Sequence, residues 1–395
     1  MTRQRADYLL LGVVAILVMV GLQALYSASF ALAMAEYNDP TYFIARQLIF
    51  AVPGAILMVV CWRIPFTFWR RLAFPIALSG IAALLLVLIP GVGVNVYGAQ
   101  RWIQVGPLPA VQPSEFVKLA LILYLAAWLA DHPERIKRLG SGFIPFGLIV
   151  GAMVVPILLQ PDLGTTVVIV ATAIVLFYLA GAPSTFMIAI FGGIAALTPL
   201  LLAASYRSSR LEAFLDPWKD PLGNGFHIIQ SLIAIGSGGL TGLGFGSSRQ
   251  KFFYVFGSHS DAIFAIIAEE LGFIGTVVVI SLFVLFGIRG FRTAARCPDR
   301  FGALLAAGIT TWLCLQAFIN IGGITRTIPF TGIPLPFISY GGSALMATFC
   351  AVGILLNISR TASPPEPEEA AALPMPDAPP PPRVAGRPRH PAVER

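Results

Sequence analysis

The sequence predicts an all-α, polytopic membrane protein of about ten transmembrane helices, with a large extracytoplasmic loop between helices 7 and 8. Three observations predict it. Of 395 residues, 57% are hydrophobic and 11% charged, a balance that excludes an ordinary soluble domain. Apolar runs of about 20 residues recur, each long enough to cross a bilayer as a helix that satisfies its own backbone in lipid. The Lys and Arg residues behind the net charge of +7 fall in short loops between those runs. Topology explains that charge, and no nucleic-acid partner is expected.

In chain order the apolar segments are Tyr8–Ala33, Ile44–Trp62, Leu72–Ile89, Glu115–Ala130, Phe143–Leu159, Thr165–Ala180, Thr185–Ala204, Ala262–Ile288, Gly302–Ile324 and Ser339–Ile358. Arg3 and Arg5 precede the first, as in a signal peptide, but the run is too long for a signal core and reads as a retained helix. With the N-terminus in the cytoplasm, the inside loops hold Arg63, Arg70 and Arg71, then Arg135, Lys137 and Arg138, then Arg289, Arg292, Arg296 and Arg300, and finally Arg360. The short outside loops hold Glu36, Asp39 and Asp162. This satisfies the positive-inside rule and places both termini in the cytoplasm. Residues 1–360 thus form one transmembrane domain. Residues 361–395, rich in Pro, form a disordered cytoplasmic tail. Cys61, Cys297, Cys314 and Cys350 are not at metal-site or redox spacing, so neither zinc nor a disulfide framework is expected.

The outside loop, residues 205–261, carries Gly236, Gly238, Gly239, Gly242, Gly244 and Gly246 among apolar patches. It is expected to be partly re-entrant or interfacial, with glycines permitting close backbone approach. Polar groups gather on the same face. Arg101-Trp102-Ile103 precedes Gln112-Pro113-Ser114-Glu115, where Ser114 suits a helix N-cap and Glu115 shares a face with Lys118; a local ion pair closing a helix end is the plainer reading. Asp162 in Gln160-Pro161-Asp162-Leu163-Gly164-Thr165 can cap its helix. Arg210, Gln230, Lys251 and His259 supply cations and hydrogen-bonding groups suited to a phosphate or pyrophosphate, or to anionic membrane lipids. Residues 329–343, with Ser339, alternate Pro and Gly and either roof a cavity or make a rigid turn. Asp261, expected in the first turn of the eighth helix, is the best candidate base or divalent-cation ligand, with capping as its plainer role. Glu269 and Glu270 lie roughly 12 Å deeper along that helix.

These motifs resemble the shape, elongation, division and sporulation (SEDS) family of bacterial membrane proteins, FtsW, RodA and SpoVE among them. The resemblance runs from Arg101-Trp102-Ile103 through Gln112-Pro113-Ser114-Glu115 with Lys118, Gln160 to Thr165, Asp216-Pro217-Trp218, Gln230-Ser231-Leu232, Gly236-Ser237-Gly238-Gly239, Gln250-Lys251 and His259-Ser260-Asp261 with Glu269-Glu270-Leu271-Gly272, to Pro334 through Ser343, in family order. It implies a peptidoglycan glycosyltransferase of the cytoplasmic membrane that polymerises lipid II, assisted by a class B penicillin-binding protein and other division or elongation proteins. It maps the catalytic carboxylate onto Asp261. Substrate contacts are then expected from Arg101, Trp102, Glu115, Lys118, Asp162, Arg210, Gln230, Lys251, His259 and Ser339, with Mg or Mn as the divalent cation. The loop before Asp261 lacks a proline and an acidic residue common in relatives. The Asn357-Ile358-Ser359-Arg360 ending and the tail lean towards FtsW. Two rival readings are a lipid II flippase, motivated by Glu269 and Glu270 within an apolar segment, and a non-catalytic division scaffold, motivated by the tail.

Overall fold

A computed structural model describes residues 6–96, 99–104, 106, 109–202 and 205–362. The chain runs α1 (Tyr8–Tyr37), α2 (Tyr42–Arg63), α3 (Phe66–Val87), a hairpin of β1 (Gly93–Val96) and β2 (Ala99–Ile103), α4 (Pro113–Asp131), α5 (Ile144–Leu159), α6 (Leu163–Leu179) and α7 (Ser184–Leu202). Then come α8 (Ser205–Leu215), α9 (Phe226–Ser237), α10 (Ile263–Arg296), α11 (Arg300–Ile324) and α12 (Gly342–Ala362). Among the described residues, eight helices are long and apolar enough to cross a membrane; α6, α9 and the Ser184–Ala196 part of α7 are shorter apolar helices. The protein is therefore an all-α, multi-pass membrane protein. Its core is made by α4, α11 and α12, which are largely buried. By contrast α2 and α3 turn Ile49, Val52, Ile56, Phe74 and Leu78 outward, as lipid-facing helices do.

Contacts sort the polar residues into two ends of the bundle. At one end Asp7 caps α1 by accepting from Leu10 N, pairs with Arg289 at 2.7 Å, and donates its own N–H to Ser359. Asn357 there accepts from Phe66 N, and Arg300 donates to Ala180 O. The other end gathers the hairpin, α8, α9, the turn before α10 and the segment between α11 and α12.

Several expectations are corrected. The N-cap of α4 is Gln112, with Pro113 opening the helix; Ser114 lies inside and accepts from the Gln112 amide. Gly93–Val96 and Ala99–Ile103 pair as antiparallel strands where only a loop was expected. The long segment of residues 205–261, expected to be partly re-entrant or interfacial, holds two helices, α8 and α9. The last helix reaches Ala362, two residues past the expected boundary; the Pro-rich stretch from 363 lies outside the described residues.

The largest correction concerns α10, which is broken at Gly272 (φ 66°, ψ −165°). A helix break exposes backbone groups that need partners in a low-dielectric setting. The glycine segment supplies them: Leu243 N and Gly244 N donate to Glu269 O and Glu270 O, while Phe273 N and Ile274 N donate to Gly239 O and Leu240 O. Glycine is demanded on both sides. A Cβ on Gly242 would stand 2.1 Å from Glu270 O, and one on Gly272 would stand 2.2 Å from Gly242 N. The Gly272 backbone is also in a region that only glycine adopts readily. Gly272→Ala is therefore expected to destabilise the fold by at least about 2 kcal/mol, read as a lowered unfolding midpoint in detergent; an unchanged midpoint would mean that the break is not required.

Candidate functional site

Asp261 sits in the turn before α10, whose N-cap is Ala262, so it is one step outside the helix rather than in its first turn. Ser260 Oγ donates to Asp261 Oδ1 at 2.9 Å. Asn320, buried on α11, donates through Nδ2 to Asp261 O and to Ile333 O, both at 2.7 Å. The segment between α11 and α12 passes beside the carboxylate: a Cβ on Gly332 would lie 3.3 Å from Asp261 Oδ2. Arg210 on α8 and His227 on α9 face the carboxylate electrostatically. Burial raises the Asp261 carboxyl above its usual range; His227, the Ser260 hydroxyl and Arg210 partly oppose this. Burial also lowers the His227 imidazole, with Asp261 pulling the other way. A carboxylate so placed has the higher basicity that proton abstraction near neutral pH requires.

The last turn of α8 is tied to the segment after α11 by Arg326, whose guanidinium donates to Phe214 O and Leu215 O at 2.9 and 2.8 Å. Those are orphan carbonyls of the last turn of α8, where a cation is favoured.

Lys251, Glu269 and Glu270 form a second cluster, wholly buried. Lys251 Nζ donates to Gly246 O (2.7 Å), Ser27 Oγ (3.0 Å) and Glu270 Oε1 (3.2 Å). Glu270 also accepts from Ser27 Oγ at 2.6 Å and from Ser248 N. Glu269 accepts from Ser248 Oγ and from the N–H groups of Arg249 and Gln250. The two carboxylates thus clamp residues 246–251 onto the break in α10.

Glu115 and Lys118 form a third cluster inside the bundle, an ion pair at 2.8 Å with side chains 3% and 1% exposed. Lys118 Nζ also donates to Gln316 Oε1 at 2.8 Å and lies over Trp312. Arg101, on β2, donates to Gln160 O and Pro161 O. Trp102 sits beside it on the strand, half-buried. Asp162 caps α6, accepting from Thr165 N and Oγ1. Ser339 Oγ accepts from Leu335 N within the α11–α12 segment. Gln230 lies three residues beyond His227 on α9. The His259 ring packs on Phe43 at 4.7 Å and Tyr340 at 5.7 Å, and burial lowers its pKa to about 4, so the ring is neutral.

Of the expected site residues, then, Arg210 acts on Asp261 electrostatically, and His259 precedes it by two residues in the same turn. Lys251, the Glu115–Lys118 pair, Arg101 and Asp162 stand in separate clusters with their own partners. Sequence reasoning missed His227, Gln316, Asn320 and Arg326. An Asn, a Gln and an Arg on or just after one apolar helix were the available signal, since such groups at membrane depth need partners. An apolar cavity of about 410 Å³ opens between α3, α4 and the hairpin, lined in part by Ile76, Gly80, Ile103, Val111, Phe116 and Val117.

Among the described residues, no group of three or more His, Cys, Asp or Glu could hold a metal ion. Asp261 offers a single carboxylate, which fits a hard cation that takes its other ligands from phosphate and water.

The chain matches the cell cycle protein family of FtsW, RodA and SpoVE over residues 7–364. It is 45% identical over 356 residues to stage V sporulation protein E of Bacillus subtilis (strain 168), covering 90% of this chain and 97% of that one. To a probable peptidoglycan glycosyltransferase FtsW of Geobacter sp. (strain M18) it is 41% identical, covering 89% and 96%. Among solved structures it resembles a peptidoglycan synthase complex described as coordinating polymerization and crosslinking, with a TM-score of 0.76 and 31% identity over 90% of this chain and 98% of that one. The rod shape determining protein RodA of Thermus thermophilus is similar with a TM-score of 0.67 and 30% identity, covering 90% and 97%. Broken membrane helix, buried ion pairs and polar end occur in a chain similar to these proteins over nearly its whole length, and the chain belongs to the FtsW/RodA/SpoVE family.

Proposed function

We propose that the protein is a peptidoglycan glycosyltransferase that polymerises lipid II at the outer face of the bacterial cytoplasmic membrane, with Asp261 as general base. The observation that carries this reading is a carboxylate raised by burial, hydrogen-bonded by Ser260 and faced by Arg210 and His227, at the polar end of a membrane bundle. Relatives named peptidoglycan glycosyltransferases, about 40% identical across most of the chain, support it. Both termini lie in the cytoplasm in this reading, which places the cations of the opposite end on the inside.

In the reaction the 4-hydroxyl oxygen of one sugar attacks the anomeric carbon of another. The new C–O bond forms as the bond to the lipid pyrophosphate breaks. The hydroxyl proton passes to Asp261, and the electron pair leaves on the pyrophosphate. One direct displacement inverts the anomeric centre, so no protein nucleophile is needed. Arg210 is the cation nearest in role to the departing charge; Lys251 and Arg101 already serve other partners. A divalent cation, Mg or Mn, bound by Asp261 and substrate phosphates would add charge neutralisation. The apolar cavity between α3 and α4 suits an isoprenoid chain entering from the bilayer. A class B penicillin-binding protein is the proposed partner, in keeping with the similarity to a synthase complex that polymerises and crosslinks.

The test is lipid II polymerisation by the full chain with its cognate penicillin-binding protein, with Mg, Mn or chelator. Polymer that requires Asp261 supports the reading. Protein-dependent transbilayer movement of labelled lipid II without polymer would replace it with the flippase. The buried, fully partnered Glu269 and Glu270 count against that alternative, because they clamp a loop instead of lining a path.

A further inference from the structure

We infer that Glu115 and Lys118 act on Asp261 through two amides of α11, as positioning residues rather than as substrate contacts; this rests on the proposed role of Asp261. Trp312, Gln316 and Asn320 recur every four residues, so they share one face of α11. That face makes a continuous polar spine between α4 and the site.

The chain of bonds has a defined direction. Lys118 Nζ and Trp312 Nε1 both donate to Gln316 Oε1 at 2.8 Å. Two donors on the oxygen fix the orientation of the amide, so its nitrogen must face the other way. There Gln316 Nε2 donates to Pro334 O at 2.9 Å. The neighbouring carbonyl, Ile333 O, accepts from Asn320 Nδ2, whose second bond reaches Asp261 O. Two consecutive carbonyls of the segment between α11 and α12 are thereby held by two amides one turn apart. The same segment brings Gly332 against the Asp261 carboxylate.

Three facts separate this from a substrate-binding role. The Lys118 and Glu115 side chains are 1% and 3% exposed, closed off from a ligand by Trp312 and Gln316. The Lys118 charge already has a carboxylate and an amide oxygen. Asn320 leaves its Oδ1 without a partner among the described residues, an arrangement that costs stability yet keeps both of its N–H bonds on the Asp261 turn and the segment. A buried ion pair also resists reorientation, because breaking it exposes an uncompensated charge. The pair therefore acts as a fixed anchor for Gln316, and Gln316 and Asn320 together set where the Asp261 turn sits.

The experiment compares wild type with Lys118→Met, Gln316→Glu, Gln316→Met and Asn320→Asp in the full chain with its penicillin-binding protein. Two quantities are read: kcat and KM for lipid II, and amide hydrogen exchange in residues 331–339. Gln316→Glu keeps an acceptor for Lys118 and Trp312 and replaces the amide donor to Pro334 O by a carboxyl oxygen, while Gln316→Met removes the donor without adding charge, so the two together test the link even if Lys118→Met fails to fold. Each variant is expected to lower kcat roughly 10- to 100-fold with KM within about twofold, as misplacement of a reacting group does. Each is also expected to speed exchange in residues 331–339, and Lys118→Arg is expected to restore part of both. Combining Gln316→Met with Asn320→Asp should cost less than the product of the single effects. A raised KM at unchanged kcat, or lost activity with unaltered exchange, would overturn the proposal. If wild type itself makes no polymer, the glycosyltransferase reading fails, while the exchange data still decide whether the spine holds the segment.

Discussion

Asp261→Asn is expected to lower the rate of lipid II polymerisation by roughly 10²- to 10⁴-fold, the range that a general base supplies. The substitution keeps the size of the side chain and an oxygen that can accept from Ser260, so the fold should survive. Its stability should in fact hold or rise. Burial raises the Asp261 carboxyl, which means that ionisation is paid for by the native state at any pH above that raised value, and the neutral amide removes the penalty. Loss of activity without loss of stability separates a catalytic carboxylate from a structural one. The pH dependence follows from the same direction. The base must be ionised, so the rate should fall as pH drops through the raised pKa. The acid limb of the wild-type profile should lie above the ordinary aspartate value of about 3.9. A limb at or below that value would mean that burial does not control this carboxyl, and an Asp261→Asn rate equal to wild type would remove the proposed mechanism.

Lys251→Met should produce the largest loss of stability, about 3–5 kcal/mol, because it leaves Glu270 buried without its cation. It also removes the bonds to Ser27 and Gly246 that help to fasten residues 246–251 beneath the break in α10. Pairing it with Glu270→Gln should recover much of the loss, since the remaining amide carries no charge and can still accept from Ser27 and Ser248 N. The check is the unfolding midpoint of the single and double variants in detergent. The sequence offered Lys251, with Arg210 and Arg101, as a candidate pyrophosphate cation, and that role predicts a different result: stability near wild type, with a raised KM for lipid II. A stable Lys251→Met protein would restore the earlier expectation and refute the clamp.

The membrane class and the succession of apolar segments were legible in the sequence. Apolar runs and loop charges report directly on transfer into lipid, which each segment experiences largely on its own. The Asp162 cap was legible for a similar reason, because an N-cap involves residues only three positions apart. The same local logic misread Ser114, since Pro113 opens α4 and Gln112 takes the cap position. It also missed the break at Gly272: one glycine in an apolar run carries no local sign that a distant segment will approach its backbone to within bonding distance.

What only the tertiary structure decided is how the polar residues are shared among sites. The sequence by itself determined that Arg101, Lys118, Arg210 and Lys251 had to find partners in or near an apolar medium. It could not decide which of them would meet Asp261, because packing also brings in distant partners: Gln160 lies 59 positions from Arg101, Gln316 lies 198 from Lys118 and Ser27 lies 224 from Lys251. Packing of α4 against α11, and of the glycine segment against α10, satisfied Lys118 and Lys251 elsewhere and left Arg210 to act on the carboxylate electrostatically. The physical reason is the cost of an unpaired charge in a low-dielectric interior: it demands that every such group be matched, and only the arrangement of the helices selects the match.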